Sequence, residues 1–192
     1  MVIESNSVNL RVQLLGPVRA WRGEQEVALG GPRRRALFGR LASARKAVSR
    51  DELIDGLWGD DPPANAENSL HVHILGLRRA LEPRRAHRTP SRLLWGIGPG
   101  YQLMLGPGSR DTEALGRHIA DARRLAARDP WSAARSLEAA LGLWQGDSLA
   151  GIPGPWADKE RARLEELRQT VTADRIDLLL ALGRHGHGML AG

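Results

Sequence analysis

The 192-residue chain contains no cysteine, two lysines, a single phenylalanine and a single tyrosine, and it has no long apolar run. The lack of cysteine excludes disulfide bonds, a thiolate nucleophile and cysteine-ligated zinc. No window approaches the roughly 20 consecutive apolar residues that a membrane-spanning helix requires. Residues 1–9 include Glu4 and several polar residues before any apolar run, unlike a secretory signal. We therefore expect a cytoplasmic protein without a membrane partner.

Motifs of common enzyme classes are also missing. The sequence has neither a Gly-x-Ser-x-Gly elbow nor a phosphate-binding loop of the Walker type. His71 and His73 lie about 200° apart around a predicted helix, so they cannot share a metal ion there. Residues 96–100 are rich in glycine but lack the following helix that a dinucleotide site needs, and His185 and His187 are interpreted as a chance pair. The sequence therefore predicts no catalysis, no cofactor and no metal site.

The positive charge is concentrated in the first half of the chain. The formal net charge is +6, and arginine supplies almost all of the cations. An arginine-rich, lysine-poor composition also arises from GC-rich codon usage, so composition alone leaves nucleic-acid binding open. Residues 1–109 contain 16 basic and 10 acidic side chains, whereas residues 110–192 contain 12 of each. The first half is therefore expected to meet a polyanion.

Hydrophobic periodicity predicts a small sheet followed by helices in that basic half. Residues 8–29 carry short alternating apolar stretches between glycines, which predicts three antiparallel strands. Pro32 is acceptable in the first turn of a helix and marks the start of the first one. Ser49 and Glu52 have capping-box spacing, which predicts that a second helix begins there.

A third helix is predicted over residues 65–81, because apolar residues recur there at spacings of four and three. Its buried stripe should comprise Leu70, Ile74, Leu77 and Leu81. The opposite side carries Asn65, Asn68, Val72, Leu75 and Arg79, with His71 and Arg78 flanking it. Residues 93–95 and 101–105 then read as a two-stranded hairpin. This order predicts a winged helix-turn-helix, whose third helix fits a major groove about 12 Å wide.

From residue 111 onward the pattern is wholly helical. One helix is predicted from Asp111, a second from Asp129 and Pro130, and a long third over residues 156–182. The glycine-proline-glycine segment at residues 106–108 is the expected boundary. The predicted fold class is thus an α+β winged helix-turn-helix domain, residues 1–108, followed by an all-α domain, residues 109–192.

Short motifs follow one another in a specific order over nearly the whole chain. In the first domain they are Leu15-Gly16-Pro17, residues 30–37 (GGPRRRAL), 57–63 (LWGDDPP), 77–81 (LRRAL) and 98–101 (GPGY). In the second domain they are residues 140–146 (ALGLWQG) and 163–168 (RLEELR). With these motifs the chain resembles the actinobacterial antibiotic regulatory proteins of the AfsR/RedD type. The resemblance implies an OmpR-like winged helix followed by a bacterial transcriptional activator domain built from tetratricopeptide-like helical pairs.

The resemblance also implies a function. Such a protein would activate transcription of secondary-metabolite (antibiotic) biosynthesis genes by binding direct repeats in double-stranded promoter DNA, as a homodimer formed on the DNA. It would recruit RNA polymerase through the sigma factor and neighbouring subunits, with Asp60 and Asp61 in a polymerase-facing loop over residues 59–66. We expect it in the cytoplasm at the nucleoid. Family members usually continue further, so the helical domain is expected to be trimmed or unusually short.

The DNA contacts are expected from the third helix and from cations on either side of it. The predicted set is Asn68, His71, Val72, Arg78 and Arg79 on the helix, Arg45, Lys46 and Arg50 before it, and Arg88 and Arg92 after it. Val72 suits a thymine methyl group, which needs no hydrogen bond. Residues 33–35 are arginines at a helix N-terminus, where cations oppose the dipole, which indicates an external anion or GC-rich composition equally well. The six scattered tryptophans are predicted to be core anchors.

A winged-helix protein-interaction adaptor with weak or lost DNA binding is the alternative. Leu75 and Gly76 stand where recognition helices of the OmpR type commonly carry polar or basic residues. Ile97 and Gln102 stand where the wing often has arginines. Salt distinguishes the two hypotheses, because phosphate-mediated binding weakens by roughly 0.9 log units per contact for each log unit of salt. An adaptor would show no saturable DNA complex at low salt.

Overall fold

The computed structural model describes residues 10–86 and 89–188, with side chains described as far as residue 183. The N-terminal sheet comprises β1 (Leu10–Gln13), β2 (Arg19–Arg22) and β3 (Gln25–Glu26), in the order β1-β2-β3. Both pairings are antiparallel. This confirms the three predicted strands, although residues 8 and 9, where the first was expected to begin, lie outside the described residues.

Three helices follow this sheet: α1 (Pro32–Ser43), α2 (Arg50–Trp58) and α3 (Ala66–Leu81). The capping box at α2 is confirmed, since the Ser49 hydroxyl accepts from the backbone N–H of Glu52 at 3.2 Å. The backbone N–H of Ser49 in turn donates to the Glu52 carboxylate at 3.0 Å. The predicted apolar stripe of α3 is completely buried and forms the centre of the first half: Leu70, Ile74, Leu77 and Leu81.

A second sheet forms the wing and contains one strand more than the sequence predicted. It comprises β4 (Val48–Ser49), β5 (Leu94–Ile97) and β6 (Gly100–Leu103), in the order β4-β6-β5. β4 was missed because two residues are too short to show an alternating pattern. Gly100 permits the β4–β6 pairing, since a Cβ atom there would lie 2.2 Å from the Val48 carbonyl oxygen. The wing is therefore joined to the start of α2.

The second half consists of α4 (Asp111–Leu125), α5 (Pro130–Leu141) and α6 (Pro155–Gly188). α5 begins as predicted, with the Asp129 carboxylate accepting from the Ser132 backbone N–H at 3.0 Å. α4 packs on α5 and α5 on α6, whereas α6 continues six residues past its predicted end. Within the described residues, no helix combines the length and apolarity needed to cross a bilayer.

The two halves share one continuous buried cluster across residues 106–108. Burial raises the pKa of the Asp111 carboxylate, against the lowering effect of the backbone N–H groups of Leu14 and Leu15, which donate to it at 2.7 and 2.8 Å. The Arg110 guanidinium donates to the Ala42 carbonyl oxygen at 2.5 Å. The indole of Trp156 on α6 packs against α1 and α2 at their glycines. Residues 106–108 therefore connect two halves of the chain that pack around one shared core.

The tryptophan prediction is correct only in part. Of the six tryptophans, all of them described, Trp144 is buried, whereas Trp95 and Trp131 are 47% and 63% exposed. The remaining three are half-buried: Trp21, Trp58 and Trp156. Trp95 lies on β5 at the edge of the wing, and Trp131 lies in the first turn of α5. At neither position does another helix or sheet cover the indole ring. The sequence pattern does not reveal this, because it depends on how distant segments pack.

Candidate nucleic-acid interface

The outward side of α3 forms an exposed ridge. We call Asn68, Val72, Leu75 and Arg79 the α3 ridge. Asn68 and Arg79 are exposed, Leu75 is half-buried, and Val72 is 52% exposed. Val72 lies at the centre of this helix face, so its exposure means that it lacks the burial that usually stabilises an apolar side chain. The α3 ridge is thus available to an external partner.

A depression of about 340 Å³ lies on one flank of the ridge, between α3 and the wing. Its lining includes three of the predicted contact residues, Arg50, Asn68 and His71. The Arg50 guanidinium lies 5.9 Å from the ring centroid of Tyr101 on β6. The backbone N–H of Arg50 also donates to the Pro99 carbonyl oxygen in the wing turn at 3.0 Å. The fold therefore assembles helix and wing donors in one place, the wing-side depression.

Arg78 differs from the other predicted contact residues on α3. It is half-buried, and its Nε donates to the carbonyl oxygen of Leu94 on β5 at 3.1 Å. Its guanidinium carbon lies 5.9 Å from the Tyr101 ring centroid. Arg78 therefore connects α3 to the wing, which sequence periodicity did not reveal because the wing is distant along the chain.

The other flank of the ridge faces the start of α1. A depression of about 570 Å³ there is lined by Arg34, Val72, Leu75, Gly76, Arg79 and Ala80. We call it the α1-side depression. Arg34 was not among the predicted contact residues, and the arginines of residues 33–35 indicated an external anion or GC-rich composition equally well. The sequence features that could have identified Arg34 as a contact residue are this arginine run and the glycine at position 76 on the facing helix.

Among the described residues, the remaining predicted cations line neither of the two depressions beside the α3 ridge. Arg45 is exposed, and its guanidinium lies 4.0 Å from the Glu113 carboxylate of α4. Lys46 is exposed in the same loop, and Arg92 is exposed just before β5. Arg88 lies outside the described residues. Arg33 donates to the Leu57 carbonyl oxygen at 2.9 Å, so its role is at least partly structural.

Two histidines on α3 have different surroundings. His71 is exposed and lines the wing-side depression. His73 is half-buried and stacks on Trp58 with ring centroids 6.4 Å apart. Burial, followed by the charges of Arg34 and Arg33, lowers the pKa of His73, so its ring is neutral near pH 7. No group of metal-ligating side chains occurs in the part of the chain that the structure describes.

Comparison with known proteins identifies both halves. Residues 24–103 match the family "transcriptional regulatory protein, C terminal", and residues 110–190 match the "bacterial transcriptional activator domain". The chain is 36% identical over 182 residues to regulatory protein AfsR of Streptomyces griseus, covering 94% of this chain but 18% of AfsR. It is 33% identical over 182 residues to regulatory protein DnrI of Streptomyces peucetius, covering 92% of this chain and 67% of DnrI. The chain belongs to the antibiotic regulatory protein family of the AfsR/RedD type.

A solved structure supports the same architecture. EmbR of Mycobacterium tuberculosis, in a complex with a low-affinity phosphopeptide, superposes with a TM-score of 0.81 at 27% identity. The match covers 93% of this chain and 48% of the EmbR chain. The predicted fold class, an OmpR-type winged helix followed by the helical activator domain, is thereby confirmed. This AfsR/RedD-type chain spans about half of the EmbR chain and a smaller share of AfsR.

The loop between α2 and α3 in this AfsR/RedD-type chain rests on the activator domain. Asp60 and Asp61 are exposed in it. Gly59, at φ +60°, ends α2, and a Cβ atom there would lie 2.8 Å from the ring of Pro155, the first residue of α6. The loop is therefore held in a defined position beside the start of α6. Its two carboxylates form no ion pair with any described residue.

Proposed function

We propose that this protein is a sequence-specific DNA-binding activator of transcription that inserts α3 into the major groove. The observation that carries the proposal is the exposed α3 ridge, bordered on both flanks by arginines. A helix with its side chains is about 10–12 Å across, which matches a major groove about 12 Å wide. The Arg50 guanidinium on the wing side is then available to a backbone phosphate, as its charge has no described carboxylate partner.

The side chains of the α3 ridge suit base recognition. Asn68 provides the amide that pairs with adenine, and Arg79 the guanidinium that pairs with guanine. Val72 suits a thymine methyl group, and His71 contacts bases or phosphate from the wing-side depression. Arg78 positions the wing, while Arg45, Lys46, Arg88 and Arg92 serve as outer phosphate contacts.

The remaining parts of the proposal follow from the family. We propose that the winged-helix domain at residues 1–108 binds direct repeats in the promoters of antibiotic biosynthesis genes, as a homodimer formed on DNA. The domain at residues 109–192 and the loop with Asp60 and Asp61 contact RNA polymerase at its sigma factor and neighbouring subunits. The protein would work in the cytoplasm, at the nucleoid.

Footprinting the protein on DNA upstream of its own gene tests the central proposal. We expect a protected segment containing two repeats, and affinity that falls steeply as salt rises because phosphate contacts release counterions. The same DNA with one repeat scrambled is the control, and it should bind more weakly. The absence of any saturable complex at low salt would overturn the proposal.

An adaptor without DNA binding is the second candidate. It is favoured by the apolar side chains of the wing, since Trp95 is 47% and Ile97 39% exposed on the same strand. Such a surface suits a protein partner better than a phosphate backbone. An adaptor requires that the protein fail to bind its upstream DNA at low salt, so the footprinting experiment decides between the two.

A further inference from the structure

The guanidinium of Arg34 occupies space that a side chain on the recognition helix would otherwise fill. Arg34 lies in the first turn of α1, and Gly76 lies on α3 between the buried stripe and the α3 ridge. A Cβ atom at Gly76 would lie 2.5 Å from the Cζ of Arg34 and 2.7 Å from its Nε. On the other side, a Cβ atom at Gly30, where φ is +92°, would lie 2.9 Å from Nη1. The guanidinium is therefore held between two glycines.

The positive charge of Arg34 has no counterpart among the residues that the structure describes. Among the described residues, no carboxylate forms an ion pair with it and no acceptor bonds to it. Its Nε is buried without a hydrogen-bond partner. The other cation lining the same depression is Arg79. Because the Arg34 side chain lines this open depression, an external anion can approach its guanidinium from solvent.

The position of Arg34 relative to Arg50 points to the identity of that anion. Gly76 and His71 are five residues apart on α3, about 140° around the helix axis. Arg34 at Gly76 and Arg50 beside His71 therefore border opposite flanks of the α3 ridge. A major groove is likewise bordered by two phosphate backbones, one on each side of a helix placed within it.

We propose that Arg34 binds a phosphate of the DNA backbone on the strand opposite the one that Arg50 contacts. Through Gly76, α1 supplies the cation that α3 lacks at this position. The inference rests on the proposed function, because it needs α3 in the groove. A planar guanidinium presents two parallel N–H donors to one phosphate, which suits a phosphodiester.

The first test removes the cation. Binding of Arg34→Ala to a duplex from the footprinted upstream region is measured by fluorescence anisotropy over a range of salt concentrations. We expect the salt slope to fall by about 0.9 and the affinity near 0.1 M salt to fall about tenfold, the effect of one phosphate contact. Arg123→Ala is the matched control, since it removes the same charge from an exposed site on α4. It should leave both quantities unchanged.

The second test moves the cation without removing it. In Gly76→Ala the new methyl group displaces the guanidinium, and the melting temperature should not fall because alanine favours a helix over glycine. We expect Gly76→Ala to weaken DNA binding about as much as Arg34→Ala does. The double variant should be no weaker than Arg34→Ala alone, since both changes remove one contact. Additive losses in the double variant would contradict the coupling of the two residues.

The outcomes separate this inference from the function on which it rests. If the unsubstituted protein forms no saturable complex with the duplex, the proposed DNA binding is wrong. If it binds while Arg34→Ala keeps the same affinity and salt slope, DNA binding stands and the role of Arg34 is wrong. Wild-type affinity in Gly76→Ala would also overturn the inference, because the guanidinium position would then be irrelevant.

Discussion

The arginines around α3 and those of α4–α6 belong to the same arginine-rich chain but have different partners. In the helical half, five of the ten arginines with described side chains form ion pairs with nearby carboxylates, as in Arg110–Glu113 at 2.7 Å and Arg161–Asp158 at 2.7 Å. Beside α3, the described arginines at positions 34, 50 and 79 form no ion pair. GC-rich composition would place arginine in both halves alike. The lack of ion pairs at these three described positions leaves their charge available to an external polyanion.

The largest effect is expected where the two halves join. Asp111→Ala removes the acceptor of two buried N–H groups, at Leu14 and Leu15. The free energy of unfolding should fall by about 2–4 kcal/mol, since buried donors without partners are costly. Urea denaturation measures the change, with Asp174→Ala at an exposed site on α6 as control. Equal effects of the two substitutions would mean that the shared core does not depend on this contact.

The next effect concerns DNA binding by the unpaired arginines. Arg79→Ala should weaken binding to the upstream duplex by about 1–3 kcal/mol if the side chain reads a base, and its melting temperature should stay unchanged. Arg78→Ala should lower both binding and the melting temperature, because Arg78 joins α3 to β5. Titrations and thermal melts of both variants make the comparison. Unchanged binding in both variants would remove α3 from the reading role.

A smaller effect is expected at the start of α2, which positions Arg50. Ser49→Ala should reduce the free energy of unfolding by about 1 kcal/mol, the usual contribution of an N-cap. Hydrogen bonds from the Ser49 backbone and side chain lower the pKa of Glu52 below its ordinary value of 4.5. Such a group stabilises the fold above that value, and the contribution is lost as the pH falls through its folded pKa. The difference between variant and wild type should therefore narrow in acid.

The smallest effect is expected for a paired arginine of the helical half. Arg124 and Asp121 form an ion pair at 2.9 Å on the surface of α4, with both side chains at least half exposed. Because exposed pairs contribute little, Arg124→Ala should change the free energy of unfolding by roughly 0–0.5 kcal/mol and leave DNA binding unchanged. Denaturation and anisotropy measurements on one sample check both. A loss of DNA affinity in this variant would contradict the proposal that only the unpaired arginines beside α3 bind DNA.

Much of the fold could be predicted because its signals are local. The capping box at Ser49, the proline at the start of α1 and the apolar stripe of α3 each depend on residues within a few positions of one another. Non-local contacts were harder to predict. β4 has two residues and is defined by its pairing with β6, and Arg78 meets β5 sixteen residues away.

The candidate site was predicted in the same uneven way. Periodicity placed Asn68, Val72 and Arg79 on the outward face, where the structure has them exposed. It could not bring Arg50 to the same depression as His71, because that proximity depends on how α2 and the wing pack. Nor could it relate Arg34 to Gly76, 42 positions later, since their contact depends on how α1 packs against α3.

For this protein, the amino-acid sequence by itself determined the helices, the order of elements and the buried side of α3, because hydrophobic spacing and helix caps act over one or two turns. Tertiary packing alone decided which arginines stay unpaired, how the wing meets α3 and that both halves share a core. These features depend on contacts between segments far apart in the chain, for which no local pattern exists.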